Sequence, residues 1–287
     1  MAEPTAPRVS ITLATWNARR WLPGCLASIA AQTVQDYELI VVDDASTDTT
    51  PELLRQAAAA DPRIRLEFLE TNSGYAVAHN RALRLARGDA VLLLNQDAEL
   101  EPGFLEAALA ALEKYPTAVA VQGRILRLGP ELERTDTVDT TGLRMHRDRR
   151  VVSRDQNRTD AALGRPPGPV WGADGPAPVY RRAALLGARL PRRGGGWEVL
   201  DEDFCWQKED VDLAWRLHRL DRSTWYEPDA VAWHARGGAD TSHEQLRHAL
   251  QANMTNPLEV RRAAYRNQRL AQLKNDELRA VLADLPW

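Results

Sequence analysis

Five apolar residues in a row, Ala90-Val91-Leu92-Leu93-Leu94, stand between Asp89 and the polar trio Asn95-Gln96-Asp97. A short run with no polar alternation reads as a strand buried on both faces. That requires helices above and below a sheet and directs the chain to an α/β layer architecture. Such a strand ends where the chain turns polar, so Asp97 falls at the carboxyl edge of the sheet, where open α/β sheets bind ligands. Asp97 is therefore a candidate ligand for a metal or a substrate. Alternatively, Asn95 to Asp97 form a turn or cap the helix entered at Pro102.

The preceding residues repeat the pattern. Val9 to Ala14 make a first strand, and after the turn Thr15-Trp16-Asn17 the residues Trp21, Leu22, Cys25, Leu26 and Ile29 recur at helical spacing. Tyr37 to Val42 run into the polar stretch Asp43 to Asp48, and Thr50-Pro51-Glu52 opens a helix with proline in its first turn. Ile64 to Leu69 form a third strand, and a helix from about Tyr75 to Ala86 follows, with Gly88 placed as a C-cap glycine. A helix from Pro102 to Tyr115 and a strand around Ala118 to Val121 complete the series. Strict βα alternation predicts a mostly parallel central sheet with helices on both faces.

Past about Gly123 the regularity falls away. Residues 127 to 170 read as a long irregular excursion with one hairpin around Gly142, and long loops in compact domains tend to be functional. A helix starts near Arg181, and Gly194-Gly195-Gly196 marks a flexible loop. Lys208 to Leu217 form a helix with acids first and cations later, matching the macrodipole. Ala230 to His234 are a final strand, and residues 241 to 287 are helical and Arg-rich. The expected division is a domain over 1–240, with halves at about 8–123 and 124–240, followed by a C-terminal helical extension over 241–287.

With 287 residues, 44% of them hydrophobic, the chain can bury a core without disulfides. Its two cysteines, Cys25 and Cys205, form no CxxC pair, which suits a reducing, cytoplasmic compartment. No apolar run approaches the roughly 20 residues that span a bilayer, and Met1 to Arg8 lack the apolar segment of a signal peptide. A net charge of -3 gives no general field for nucleic acid, although the Arg-rich segments 144–158 and 261–269 suit some anionic partner. TWNAR stands where a dinucleotide-binding dehydrogenase would carry its glycine-rich loop, which argues against that class.

The segments ITLATWN, VVDDASTD, LLLNQD and KEDVDLAWRL, followed by EPDAVAWH, together resemble a family 2 inverting glycosyltransferase of the GT-A fold. TNSGYAVAHNRAL and WGADGPAPVYRRAAL resemble two further segments of that family, and the likeness runs from about Val9 to His234. Within the family it is similar to rhamnosyltransferase-like enzymes of bacterial cell-surface glycan synthesis.

That resemblance implies a single displacement of a sugar from a UDP- or dTDP-linked donor, dTDP-rhamnose among them, onto a hydroxyl of a glycan or lipid-linked acceptor. The diphosphate leaving group calls for Mn²⁺ or Mg²⁺. Asp97 and His234 are the implied ligands, and Asn95 stands where many relatives carry a first acid. Ala14, Trp16, Asn17, Asp44, Asn80 and Gln96 are implied to line the nucleotide-sugar pocket. An ionised Asp44 would accept the N–H of uracil or thymine, which cytosine lacks at N3. Asp210 matches the general base, with Glu209 beside it, while Trp171 and Trp206 offer aromatic faces to the acceptor. A weakly active or inactive module that binds nucleotide sugar is the alternative, resting on Asn95. The Arg-rich C-terminal helices can dock on the cytoplasmic face of the inner membrane, form a homodimer or act as a lid.

Overall fold

The computed structural model of the chain describes residues 6–192, 194–204, 207–236 and 257–276. Its strands are β1 (Val9–Thr15), β2 (Tyr37–Asp43), β3 (Ile64–Phe68), β4 (Ala90–Asn95), β5 (Ala98–Leu100), β6 (Ala118–Leu128), β7 (Arg134–Thr140), β8 (Leu143–Met145), β9 (Val151–Ser153), β10 (Gly168–Val170), β11 (Val179–Arg181), β12 (Leu190–Pro191), β13 (Trp197–Glu198) and β14 (Ser223–His234). The helices are α1 (Leu22–Ala30), α2 (Thr50–Ala60), α3 (Tyr75–Leu85), α4 (Phe104–Lys114), α5 (Arg182–Gly187), α6 (Glu209–Arg219) and α7 (Pro257–Asn275).

One sheet runs in the order β10-β14-β6-β11-β4-β1-β2-β3, with β5 added to β14 and β7 to β6. Strands β3, β2, β1 and β4 are parallel, and so are β6 and β14. Between these two groups lies the three-residue β11, antiparallel to both β4 and β6. The sheet is thus mixed: its long neighbours are parallel, and the shorter β5, β7, β10 and β11 add antiparallel pairings.

The unbroken apolar run of β4 has a direct explanation in its two covered faces. Leu92 and Leu94 point into a core shared with α1, α2 and α4, while Val91 and Leu93 point into a second core shared with α3, α5 and α6. Burying each leucine contributes roughly 1.5–3 kcal/mol, so a polar residue anywhere in the run would be costly. A third cluster, with Leu143, Val151, Phe204, Val211, Trp215 and Ala271, joins the β8–β9 hairpin to α6 and α7.

Several local expectations change. Gly88 is not a left-handed C-cap: a Cβ there would lie 2.6 Å from the Ser10 nitrogen, and its N–H donates to the Ser10 hydroxyl at 2.8 Å. Close approach to β1 explains this glycine. Gly194, Gly195 and Gly196 all have positive φ, turning the chain between the paired β12 and β13. The stretch 127–170 is more regular than its composition suggests, since β6 continues to Leu128, β7 returns along it, and β8 pairs with β9 just after Gly142.

The C-terminal extension packs on its own domain. Asn275 Nδ2 donates to Asp212 Oδ1 at 2.8 Å, Asn267 Nδ2 to the Gln207 carbonyl at 2.9 Å, and Arg149 Nε lies 3.1 Å from Asp276 Oδ2. Helix α7 therefore braces α6 from behind. Among the described residues no helix is long and apolar enough to cross a membrane. Residues 241–256 and 277–287 of the expected extension, together with Cys205 and Trp206, lie outside the described residues.

Candidate active site

The pairing of β5 with β14 sets His234 opposite Ala98, and the Ala235 N–H donates to the Asp97 carbonyl at 2.9 Å. Two residues far apart in sequence are thereby brought side to side. His234 Nε2 lies 3.2 Å from Asp97 Oδ1 and 3.3 Å from Asn95 Nδ2. Asn95 Oδ1 is buried and has no hydrogen-bond partner. One carboxylate, one imidazole and one orphaned amide oxygen make a donor set that suits Mn²⁺ or Mg²⁺ in part. Among the described residues no group of three histidines, cysteines or acids forms a complete cage, so a ligand's own oxygens would have to supply the rest. Burial opposes the charge on His234, but Asp97 and Asp139 outweigh it and raise the imidazole to about 10. A proton at neutral pH thus stands where a cation would compete for the ring. A groove of about 350 Å³ opens at Ala235, next to this pair, lined in part by Arg127, Thr135, Thr137 and Arg236.

The second group of acids lies across the segment Ala173 to Pro178. The Asn95 N–H donates to the Pro176 carbonyl at 2.9 Å, and the Gly175 N–H donates to Asp210 Oδ2 at 3.2 Å. That segment therefore connects the end of β4 to the start of α6, which carries Glu209 and Asp210 in its first turn. Both acids line a narrow cleft with Tyr75, Leu93, Tyr180, Leu200 and Leu213. Burial against these apolar walls pushes Glu209 up to about 7, opposed by its own N–H and Lys208 and assisted by Asp174 and Asp212. Burial, then Glu209 and Asp174, push Asp210 well above the ordinary carboxylate range. The Tyr75 hydroxyl is also raised, by burial and then by Glu209, Asp210, Tyr180 and Asp97. It sits in the field of both acidic groups.

The ends of β1 and β2 form a third wall. Ala14 is partly buried, in register with Val42 and Asn95. Asn17, at positive φ, accepts the Thr47 N–H at 2.8 Å and donates its own N–H to Ser46 Oγ, joining the two strand-end loops. Asp44 accepts the N–H groups of Ser73 and Gly74 at 2.7 Å each, which anchors the start of α3. Burial dominates those contacts and raises its carboxyl.

Three expected roles look different in the structure. Gln96 does not face a pocket with its amide: Oε1 accepts the Trp16 N–H at 2.7 Å and Nε2 donates to the Trp16 carbonyl at 3.2 Å, fastening β1 to β4. Asn80 is fully buried, and its amide accepts from the Val199 and Leu200 N–H groups and donates to the Leu200 carbonyl and Glu202. It clamps α3 to the chain before α6. Trp171 stacks on His218 and meets Trp215 edge-on, one to two helical turns along α6 from Asp210. It is a packing residue of the third cluster. Asp212, two residues past Asp210 on α6, faces away from that pair, toward Arg216 at 2.8 Å and α7.

Two residues were missed by the sequence reading. Asp174 lies inside the WGADG motif and raises both acids of α6, so the motif itself carried the signal. Asp139 is fully buried on β7 with Oδ2 2.9 Å from His234 Nδ1, and nothing in its polar neighbourhood Arg134 to Thr140 marks it.

Escherichia coli chondroitin synthase is 36% identical over 108 residues, 38% of this chain and 16% of that protein. The chain thus spans less than a fifth of that relative's length. Among solved structures, S. aureus TarS 1-349 in complex with UDP-GlcNAc matches 96% of this chain and 69% of its own with a TM-score of 0.59 at 17% identity. The mannosyltransferase PcManGT from Pyrobaculum calidifontis, in complex with GDP-Man and Mn²⁺, matches 97% of this chain and 79% of its own, with a TM-score of 0.56 at 21% identity. At those identities the likeness establishes the GT-A fold. The Glycosyl transferase family 2 profile matches residues 10–183, more than half of the chain, and the chain belongs to that family.

Proposed function

We propose that the protein is an inverting, metal-dependent glycosyltransferase that moves a sugar from a nucleoside diphosphate donor to an acceptor hydroxyl. The observation that carries this reading is the raised carboxylate pair Glu209 and Asp210 on one side of Ala173 to Pro178, with Asp97 and His234 on the other. Asp97, His234 and the orphaned Asn95 oxygen would hold Mn²⁺ or Mg²⁺, which when bound neutralises the charge developing on the leaving diphosphate. Ala14, Trp16 and Asp44 sit at the strand ends where the nucleoside would lie. One lone pair remains on each Asp44 oxygen after the contacts to Ser73 and Gly74, enough to accept a base N–H.

In the step itself, the acceptor oxygen forms a bond to the anomeric carbon as the bond to the diphosphate oxygen breaks. The hydroxyl proton passes to Asp210. An apolar cleft and a neighbouring acid raise the proton affinity of Asp210, which suits it to that transfer, and the Gly175 N–H fixes its Oδ2. UDP- and dTDP-sugars are the donors proposed, and the likeness to rhamnosyltransferases makes dTDP-rhamnose the first to try. The acceptor proposed is a glycan or a lipid-linked sugar.

The test is turnover of UDP- and dTDP-sugars with Mn²⁺ by the full chain and by Asp210→Asn. The variant is expected to lose about 10²–10⁴-fold in transfer and to bind UDP or dTDP as the parent does. Undiminished turnover would overturn the assignment of the base.

A further inference from the structure

We propose that Asp139 is a positioning residue for the cation site: its carboxylate fixes the ring of His234 so that Nε2 faces Asp97 and the cation. The inference rests on the metal site proposed above.

Asp139 reaches His234 through an irregularity in β7. Thr140 pairs with Ile125 and Val138 with Leu126, so Asp139 is an extra residue against β6. Such a bulge re-aims one side chain, here toward β14, where His234 lies in register with Arg127 of β6. The carboxylate is fully buried and its two oxygens serve different partners. Oδ2 is 2.9 Å from His234 Nδ1, and Oδ1 accepts from Arg236 Nε, with Arg127 Nε at 3.6 Å.

An imidazole with Nδ1–H held by a carboxylate has one tautomer left when neutral, with its free lone pair on Nε2. Nε2 is the atom beside Asp97 Oδ1 and Asn95. A carboxylate behind a metal-bound histidine fixes the ring and raises its basicity, and losing one commonly costs 10–100-fold in metal affinity. A buried charge with only packing to do would have no reason to divide its oxygens in this way. Arg236 and Arg127 keep Asp139 charged and aimed, so the same carboxylate ties the histidine to the guanidinium groups lining the adjacent groove.

The experiment titrates Mn²⁺ by EPR into the full-length protein saturated with UDP, using the parent, His234→Ala and Asp139→Asn. UDP affinity without metal and the melting temperature are measured alongside. The expected result is a 10–100-fold weaker Mn²⁺ affinity in Asp139→Asn with metal-free UDP binding unchanged. If His234→Ala loses Mn²⁺ while Asp139→Asn binds it as the parent does, the positioning role is overturned and the metal site stands. If His234→Ala and the parent bind alike, the metal site itself fails and takes this inference with it. Should Asp139→Asn not fold, ¹H–¹⁵N spectra of the parent loaded with Mg²⁺ and UDP decide. A His234 ring protonated at Nδ1 supports the role, and one protonated at Nε2 overturns it.

Discussion

Asn80 gives the sharpest test of a residue whose family resemblance and whose structure point to different roles. Its side chain serves three main-chain groups, the N–H of Val199, the N–H of Leu200 and the carbonyl of Leu200, at 2.7–3.0 Å. Val199 and Leu200 are both buried, so water cannot readily replace the amide. Leaving a buried polar group without a partner costs about 1–3 kcal/mol, and taking the low end for each of the three gives roughly 3 kcal/mol for Asn80→Ala. For a chain of this size that lowers the melting temperature by about 6–12 °C. Differential scanning fluorimetry reads the shift, and calorimetric titration with UDP below the transition reads the pocket. The expected outcome is a large loss of stability with UDP affinity intact. A variant that melts with the parent yet binds UDP poorly would refute the clamp and return Asn80 to the nucleotide pocket.

Two other outcomes follow from the ionisable groups. Because burial pushes Glu209 up to about 7 and Asp210 well above the ordinary carboxylate range, the acid pair takes up a proton at higher pH than free carboxylates do, and the transfer rate should fall as pH drops from neutral toward 5. A rate flat down to pH 5 would exclude this pair as the base. His79 is fully buried between Thr12 and Tyr75, and burial lowers its pKa to about 3. Above pH 6.5 the ring is neutral in both folded and unfolded chain and adds no pH dependence. Below 6.5 only the unfolded chain takes the proton, so stability falls by about 1.4 kcal/mol per unit, roughly 2 kcal/mol by pH 5. Urea melts of the parent should lose that much more than those of His79→Gln between pH 7 and 5; parallel losses would refute it.

Much of the fold was legible because burial on two faces leaves a plain mark. The run Ala90 to Leu94 has no polar position since each neighbour along it faces a different apolar core. Asp97, His234, Glu209 and Asp210 were legible as motif ends, and the structure gathers them around Ala173 to Pro178. What sequence could not separate was pocket from scaffold. Gln96 and Asn80 stand beside motif positions and carry amides, but in each the amide bonds main chain, and residue type alone does not say where an amide points. Trp171 was equally ambiguous, since an indole that stacks on His218 differs from one that stacks on a sugar only in what lies opposite. Asp139 was invisible because its role depends on a one-residue slip between β6 and β7, a property of pairing rather than of local composition.

The short antiparallel strand β11 bears on how the chain is made. β4 and β6 are each hydrogen-bonded to it, so the half-sheet of β3, β2, β1 and β4 can form early in synthesis but has no partner for its far edge until residue 179 emerges. Until then the apolar edge Val91 to Leu93 is open to pairing with other nascent chains. His234 arrives later still, at the end of β14. The proposed cation site would therefore be completed only after the half-sheet of β3, β2, β1 and β4 has emerged, and a ribosome stalled before β11 would release a chain with an unpaired β4 edge and without His234.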